Sequence, residues 1–207
     1  MLALGLVAGP AATARAAGAE TVGNPLISQP LNDGAASSLF VMTNAGFTAP
    51  GVLTTWGFFD NTAPTTFVIT PVLFQLVGGN FKVTGIGTTR TNTGQGAQNF
   101  AFGLASGTAA TDLGYYFGWR DGVAVASPSN QGVPNYANGG VGSVTWFGGA
   151  DAVVGTAPTV VQTFNRTYSL QGTSVLSAAV APEPGSVGLL LAGALSLAGI
   201  VARRRLA

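Results

Sequence analysis

Between residues 21 and 181 the chain is cut by glycine, proline or asparagine about every eight to twelve residues. No stretch between the cuts keeps an uninterrupted apolar stripe at helical spacing over twelve residues. A buried helix needs roughly ten to twelve such residues, whereas a strand needs only about four to eight with a period of two. The cuts therefore select strands. In "VLTTWGFF" (52–59), Val52, Thr54, Trp56 and Phe58 alternate with Leu53, Thr55, Gly57 and Phe59. "FVITPVLFQLV" (67–77) reads as a strand whose Pro71 predicts an edge or a bulge, because proline cannot donate to a ladder. Gly78-Gly79-Asn80 then turns the chain into "FKVTGIGTTRT", which predicts a hairpin. "NFAFGLA" (99–105) puts Phe100, Phe102 and Leu104 on one face, and "YYFGW" (115–119), "VTWFG" (144–148) and "TFNRTYSL" (163–170) continue the pattern. The expectation is an all-β body over residues 20–176, a β-sandwich or jelly roll without internal repeats.

Composition decides what such a body can do. Only 7% of residues are charged, against roughly 25% in an ordinary soluble protein. Between residues 21 and 181 stand 24 Gly, 22 Thr and 11 Asn, with five acids and four bases. Polarity there comes from hydroxyls and amides, while the aromatics suffice for a core. A net charge of +1 gives nucleic acid no electrostatic handle.

Histidine and cysteine are both absent. A Ser-His-Asp arrangement and a cysteine nucleophile are thereby excluded, along with the commonest general base. Lys82, the single lysine, has no S-x-x-K spacing. A glycosidase would need two carboxylates about 5–9 Å apart. The body offers Asp33, Asp60, Asp112, Asp121 and Asp151, most of them beside Gly or Asn where Asp serves turns. "GIGTTR" (85–90) and "GQGAQN" (94–99) lack the third glycine of a dinucleotide fingerprint and open no helix. No catalytic residue, metal ligand or cofactor is expected. Calcium would need a site assembled from separate loops, since no D-x-[DN]-x-[DN]-G run occurs.

Sugar binding is the sharper expectation. Trp119-Arg120-Asp121 sets an aromatic platform, a donor fork and an acceptor side by side, and Tyr136, Trp56 and Trp146 are further aromatics near turns. The competing reading makes Trp56 and Trp146 core residues and Arg120-Asp121 a solvated turn. Asn165-Arg166-Thr167 matches a glycosylation sequon.

The two ends differ from the body. "MLALGLVAGPAATARAAGAE" begins with an apolar run and continues with A-x-A-like sites, as in a secretory signal peptide over residues 1–19. Its basic n-region is missing, which suggests a truncated or atypical signal. Residues 177–184 read as a linker containing Pro182-Glu183-Pro184. Residues 185–202 hold no ionisable group, and Arg203, Arg204 and Arg205 follow. Eighteen helical residues reach about 27 Å, just enough for a hydrocarbon core of ~30 Å. The arginines would stay cytoplasmic and leave the body outside.

Pro182-Glu183-Pro184, a short Gly-rich transmembrane helix and an arginine cluster, in that order, resemble the PEP-CTERM sorting signal. The resemblance covers Pro182 to Ala207. It implies recognition by an exosortase, a membrane protease-transpeptidase of exopolysaccharide-producing Gram-negative bacteria. Processing near the Pro-Glu-Pro motif would follow a transient stay in the inner membrane. The body would then pass to the cell surface or extracellular matrix. "GIGTTRTNTGQGAQNFAFG" with "YYFGWRDG" is also similar to an extracellular domain recurrent in that group, for which no activity carries over.

Three functional expectations follow. The first is an exported non-enzymatic surface or matrix protein associated with exopolysaccharide. The second is a lectin-like carbohydrate-binding module using Trp119, Arg120, Asp121 and Tyr136. The third is a secreted hydrolase dependent on Asp residues.

Overall fold

The computed structural model describes residues 18–33, 37–61, 67–122, 134–139 and 143–177. Most of the expected signal peptide (1–17), the linker from 178 and the whole tail 185–207, with Pro182, Glu183, Pro184, Arg203, Arg204 and Arg205, lie outside them. Gly18–Ser177 forms one compact unit. Its described residues are all-β.

The strands in chain order are β1 (Ala19–Gly23), β2 (Leu31–Asn32), β3 (Leu39–Gly46), β4 (Gly51–Asp60), β5 (Val68–Val77), β6 (Asn80–Gly87), β7 (Arg90–Thr91) and β8 (Gly96–Ala101). There follow β9 (Leu104–Gly107), β10 (Ala110–Thr111), β11 (Tyr115–Asp121), β12 (Asn135–Asn138), β13 (Val144–Trp146), β14 (Gln162–Phe164), β15 (Arg166–Tyr168) and β16 (Leu170–Leu176). A five-stranded sheet runs β1-β16-β4, with β8 and β10 both on the far side of β4. An eight-stranded sheet runs β14-β13-β3-β11-β5-β6-β9, with β7 beside β5. A small sheet, β15-β12-β2, completes the set. Every pairing is antiparallel.

Local chemistry explains several of these choices. Val77 pairs with Asn80, and the two residues between them, Gly78 and Gly79, both take positive φ (56° and 82°). A two-residue hairpin turn with left-handed twist at both positions matches the strand twist, and glycine adopts it without strain. Pro71 lies within an interior strand, not at an edge. β7 pairs with Val68 and Ile69 while β6 pairs from Val72 onward, so Pro71 falls where β5 changes partner. The missing amide costs little at that break.

One hydrophobic cluster joins the two larger sheets. Leu53, Trp56 and Phe58 of β4 and Leu170 of β16 contribute to it from one sheet. Phe40, Met42, Ile69, Leu73, Phe117 and Trp119 contribute from the other. The eight-stranded sheet is also buried on its second face, where Leu39, Val41, Val72, Phe74 and Val83 pack against Phe147. Burial on both faces is why "LFVM" (39–42) and "PVLF" (71–74) are continuous apolar runs. The chain from 147 to 161 crosses that second face as a strap. Phe147 stacks on Phe74 at 5.7 Å between centroids, and the Val83 amide donates to the Thr156 carbonyl at 2.9 Å.

Three strand expectations change in detail. In β4 an extra residue separates the partners of Thr173 and Ser174, so the alternation slips at Thr54. Leu53 is buried instead of Val52, and Trp56 and Phe58 take over beyond the bulge. "NFAFGLA" is not one strand. Gly103, at φ 54°, turns the chain from β8 in the five-stranded sheet to β9 in the eight-stranded one, leaving Phe102 buried and Leu104 exposed. "TFNRTYSL" is likewise divided, with β14, β15 and the start of β16 in three different sheets.

Candidate functional site

Trp119, Arg120 and Asp121 do not form one surface. All three lie on β11, and successive residues of a strand point to opposite faces. Trp119 points into the shared core and is fully buried (0% exposed). Its ring stacks on Phe40 at 4.8 Å and packs against Tyr168 at 4.7 Å. Arg120 points to the other face, where Nη2 donates to Asp151 Oδ1 at 2.6 Å and Nε to the Ala150 carbonyl at 3.4 Å. It fastens the strap. Asp121 returns to the inner face and is 6% exposed. A platform, fork and acceptor side by side would need a turn at these positions, and the strand continues instead. Trp56 is buried in the core as well, beside Phe58 and Phe100. Trp146 is half-buried against Phe164 at 6.1 Å.

Tyr136, on β12, does converge with Trp119, through a residue the sequence reading did not select. Tyr168 pairs with Tyr136 across β12 and β15, their rings 5.1 Å apart. The Tyr168 hydroxyl donates to Asp33 Oδ2 and accepts from Arg166 Nη1 at 3.0 Å. Arg166 also lies 3.9 Å from Asp33 Oδ2. Its guanidinium sits over Tyr136 at 4.4 Å and over Phe164 at 4.2 Å, a cation between two rings. Asp33, Arg166 and Tyr168 were legible only in part. Arg166 and Tyr168, two apart in "NRTYS", share a strand face, but nothing local ties them to "LNDG" more than a hundred residues earlier.

This cluster is a core junction of three strands, and its electrostatics follow from burial. Burial pushes the Asp121 carboxyl well above the usual carboxylate range. The Asp33 carboxylate adds to that, while the nearby Trp119 indole and the Arg120 charge oppose it. Asp121 Oδ1 and Trp119 Nε1 are both buried without a partner in hydrogen-bond geometry, so the indole acts on the carboxyl only at longer range. Burial likewise raises the Tyr168 hydroxyl, keeping it a neutral donor to Asp33. Among the described residues no three carboxylates come together as metal ligands.

A pH dependence follows. The folded protein binds the Asp121 proton more tightly than the unfolded chain does. That contribution is fully present below the unfolded carboxylate range and is lost as pH rises through the folded value. Asp121→Asn keeps the shape and removes the titration. The variant and wild type are expected to melt together near about pH 4, and the variant to melt higher near about pH 8. Melting curves that stay parallel across that range would contradict the assignment.

The outward face of the five-stranded sheet is a different kind of surface. Its register sets Ala19, Val175, Val52 and Ala110 in one row and Thr21, Thr173, Thr55 and Ala101 in the next. A third row holds Gly23, Gln171, Gly57 and Asn99, with Leu26 lying against Gly57. No member is ionisable. The Thr21 and Thr173 hydroxyls bond one another at 2.9 Å, and the amides of Gln171 and Asn99 stand one row away. The side-chain donors and acceptors stand in the second and third rows, while the first row is aliphatic and the bulge at Thr54 sets it three positions from the second along β4. Such a surface can exchange hydrogen bonds with a polyhydroxylated, uncharged polymer. Compared with protein-family models, curated proteins and solved structures, the chain matches none.

Proposed function

We propose that this chain is an exported, non-enzymatic surface or extracellular-matrix protein whose body is a β-sandwich associated with exopolysaccharide. The observation that carries the association is the outer face of the five-stranded sheet, whose three rows hold no ionisable residue and carry the hydroxyls of Thr21, Thr173 and Thr55 and the amides of Gln171 and Asn99. Three of the body's five aspartates, Asp33, Asp60 and Asp121, are withdrawn from the surface. What remains outside is largely neutral and suits a hydrated neutral glycan matrix. The sandwich reading rests on one core shared by the two larger sheets.

Delivery is proposed from the tail. Pro182-Glu183-Pro184, the uncharged stretch 185–202 and Arg203-Arg204-Arg205 would hold the chain briefly in the inner membrane for an exosortase, which then releases the body. Replacing Pro182, Glu183 and Pro184 with alanine is expected to leave full-length protein in the inner membrane. A mature form still appearing at wild-type mass would overturn the sorting proposal.

The narrower lectin-like reading moves from the Trp119 cluster to this outer face. Co-sedimentation with neutral polysaccharide tests it. Thr55→Glu with Thr173→Glu, which brings charge to the middle row, should abolish any binding that wild type shows. Equal co-sedimentation of the two proteins would remove the face from consideration.

A further inference from the structure

The entry and exit of the described body meet at one end of its strands. The Leu176 amide donates to the Gly18 carbonyl at 2.8 Å and the Ser177 amide to the Pro50 carbonyl at 2.9 Å, so β1 begins and β16 ends beside the start of β4. Gly51 of β4 pairs on its other side with Thr111 of β10. Two residues further on, Leu113 stands in the turn before β11, where the Gly114 carbonyl accepts from the Leu76 amide at 2.8 Å. The Gly78-Gly79 hairpin follows Leu76 and Val77 directly. Register therefore gathers the two chain ends, this turn and this hairpin at the same end of the body.

Exposed aliphatic side chains collect there. Leu113 is 77% exposed, more than any other large apolar residue described, and Val77 is 50% exposed, with Leu76 exposed beside it. Val52 and Val175, paired one step in from the exit, are exposed as well. A side chain added at Gly78, Gly79 or Gly114 would meet nothing within 4 Å, so the hairpin and the turn project. Among the described residues the charges at this end are Glu20, Lys82 and Asp112. The Glu20 carboxylate accepts from the Thr48 amide and hydroxyl, and Asp112 Oδ1 from the Leu113 amide at 2.7 Å. Lys82 can carry its ammonium away from an apolar surface on its own stem. A group of exposed apolar side chains of this kind marks a contact surface.

What it meets follows from where the chain goes next. Eight residues, 177–184, separate β16 from the uncharged stretch 185–202, and fully extended they span at most about 29 Å. The ten residues of β4 alone cover about 33 Å, so that linker cannot bring a bilayer round to the far end of the body. We propose that this end is a lipid-contact surface: while residues 185–202 hold the chain in the bilayer, Leu76, Val77 and Leu113 enter its interface. The proposal rests on the reading of that stretch as a membrane segment. A short linker makes the contact intramolecular, so a few aliphatic side chains suffice to hold it. Once the linker is cut, the same side chains are too few to retain the body. The contact keeps Pro182-Glu183-Pro184 at the bilayer surface until processing and lets the body leave afterwards.

The absence of cysteine makes the test direct. Full-length protein is prepared as Leu113→Cys, as Ile27→Cys and as Ser196→Cys, each labelled with a polarity-sensitive fluorophore. Ile27 is also exposed but lies toward the other end of β4, near Ser169 and Phe59. The proteins are reconstituted in vesicles of phosphatidylcholine with brominated acyl chains, which quench a fluorophore that reaches them. Ser196→Cys, within the uncharged stretch, reports the membrane segment by itself and should be quenched. Leu113→Cys should be quenched at least about twofold more than Ile27→Cys. Adding Val77→Glu, a change at an exposed position, should bring the Leu113→Cys signal down to that of Ile27→Cys without changing the melting temperature. Quenching at Ser196→Cys with Leu113→Cys no different from Ile27→Cys overturns the lipid-contact surface and leaves the membrane segment standing. Quenching at Leu113→Cys that ignores Val77→Glu reports the fluorophore's own affinity for lipid and overturns it too. No quenching at Ser196→Cys removes the membrane segment, and the proposal with it.

Discussion

Trp119→Ala is expected to cost about 3–5 kcal/mol of folding stability, the usual penalty for emptying a buried aromatic site. The ring has no exposed surface and lies between Phe40 and Tyr168, whose rings cannot close a gap of that size without leaving their strands. Tyr168 also positions the hydroxyl that holds Asp33 and Arg166, so the loss spreads to the polar junction. For a body of this size that is about 10 °C in melting temperature, readable by circular dichroism. Trp119→Phe should lose less, because it keeps most of the contact area. The same variant separates two roles for this residue. A platform tryptophan would lose ligand and keep its melting temperature, and that outcome would overturn the core assignment.

The second large effect is expected one residue earlier. At Gly118 an added Cβ would overlap the Phe40 carbonyl oxygen and come within 2.7 Å of Phe74 Cε2 and 3.0 Å of Val41 Cα. The backbone of β3 approaches β11 this closely because their register shifts between Tyr116 and Gly118. Both strands are interior, with partners on either side, so neither can retreat without breaking a second ladder. Gly118→Ala should therefore cost about 3 kcal/mol or more, at the upper end of overpacking effects. Gly139→Ala is the contrast. That glycine has open space around it, and only its positive φ of 76° resists substitution. Urea denaturation of the pair should give a much larger loss at Gly118. Equal losses would mean that strand β3 yields more readily than its packing indicates.

Much of the fold class was legible. Turn residues and period-two alternation predict strands at β4, β5, β6, β11 and β13, and all five are present. The Gly78-Gly79 hairpin was readable because its turn needs positive φ at adjacent positions, a local demand, although Asn80, read with the turn, opens β6 instead. The errors share one cause. In "VLTTWGFF" neither alternating set is the buried one throughout, because a bulge opposite Thr173-Ser174 shifts the phase between Leu53 and Trp56. In "NFAFGLA" one apparent face belongs to two sheets, because Gly103 turns a corner that the apolar pattern does not register.

The ligand constellation failed on the same ground. Trp119, Arg120 and Asp121 look like a site in the sequence because they are adjacent. Within a strand, adjacency is what separates side chains, so Arg120 went to the strap and its neighbours to the core. The grouping that did form, Asp33 with Tyr168, Arg166, Tyr136 and Asp121, draws on β11, β12, β15 and the residue after β2. No local pattern encodes which distant strands will meet.

By itself, then, the sequence determined the strand-forming body, its tight hairpin and its poverty of charge. These rest on properties each residue carries alone: turn preference, side-chain polarity and apolar length. The tertiary structure decided which strands pair, where the register slips and which side of each strand meets the core. Those depend on contacts between residues far apart in the chain. A period of two says only that neighbours point apart, and long-range pairing alone assigns one side to the interior and the other to solvent.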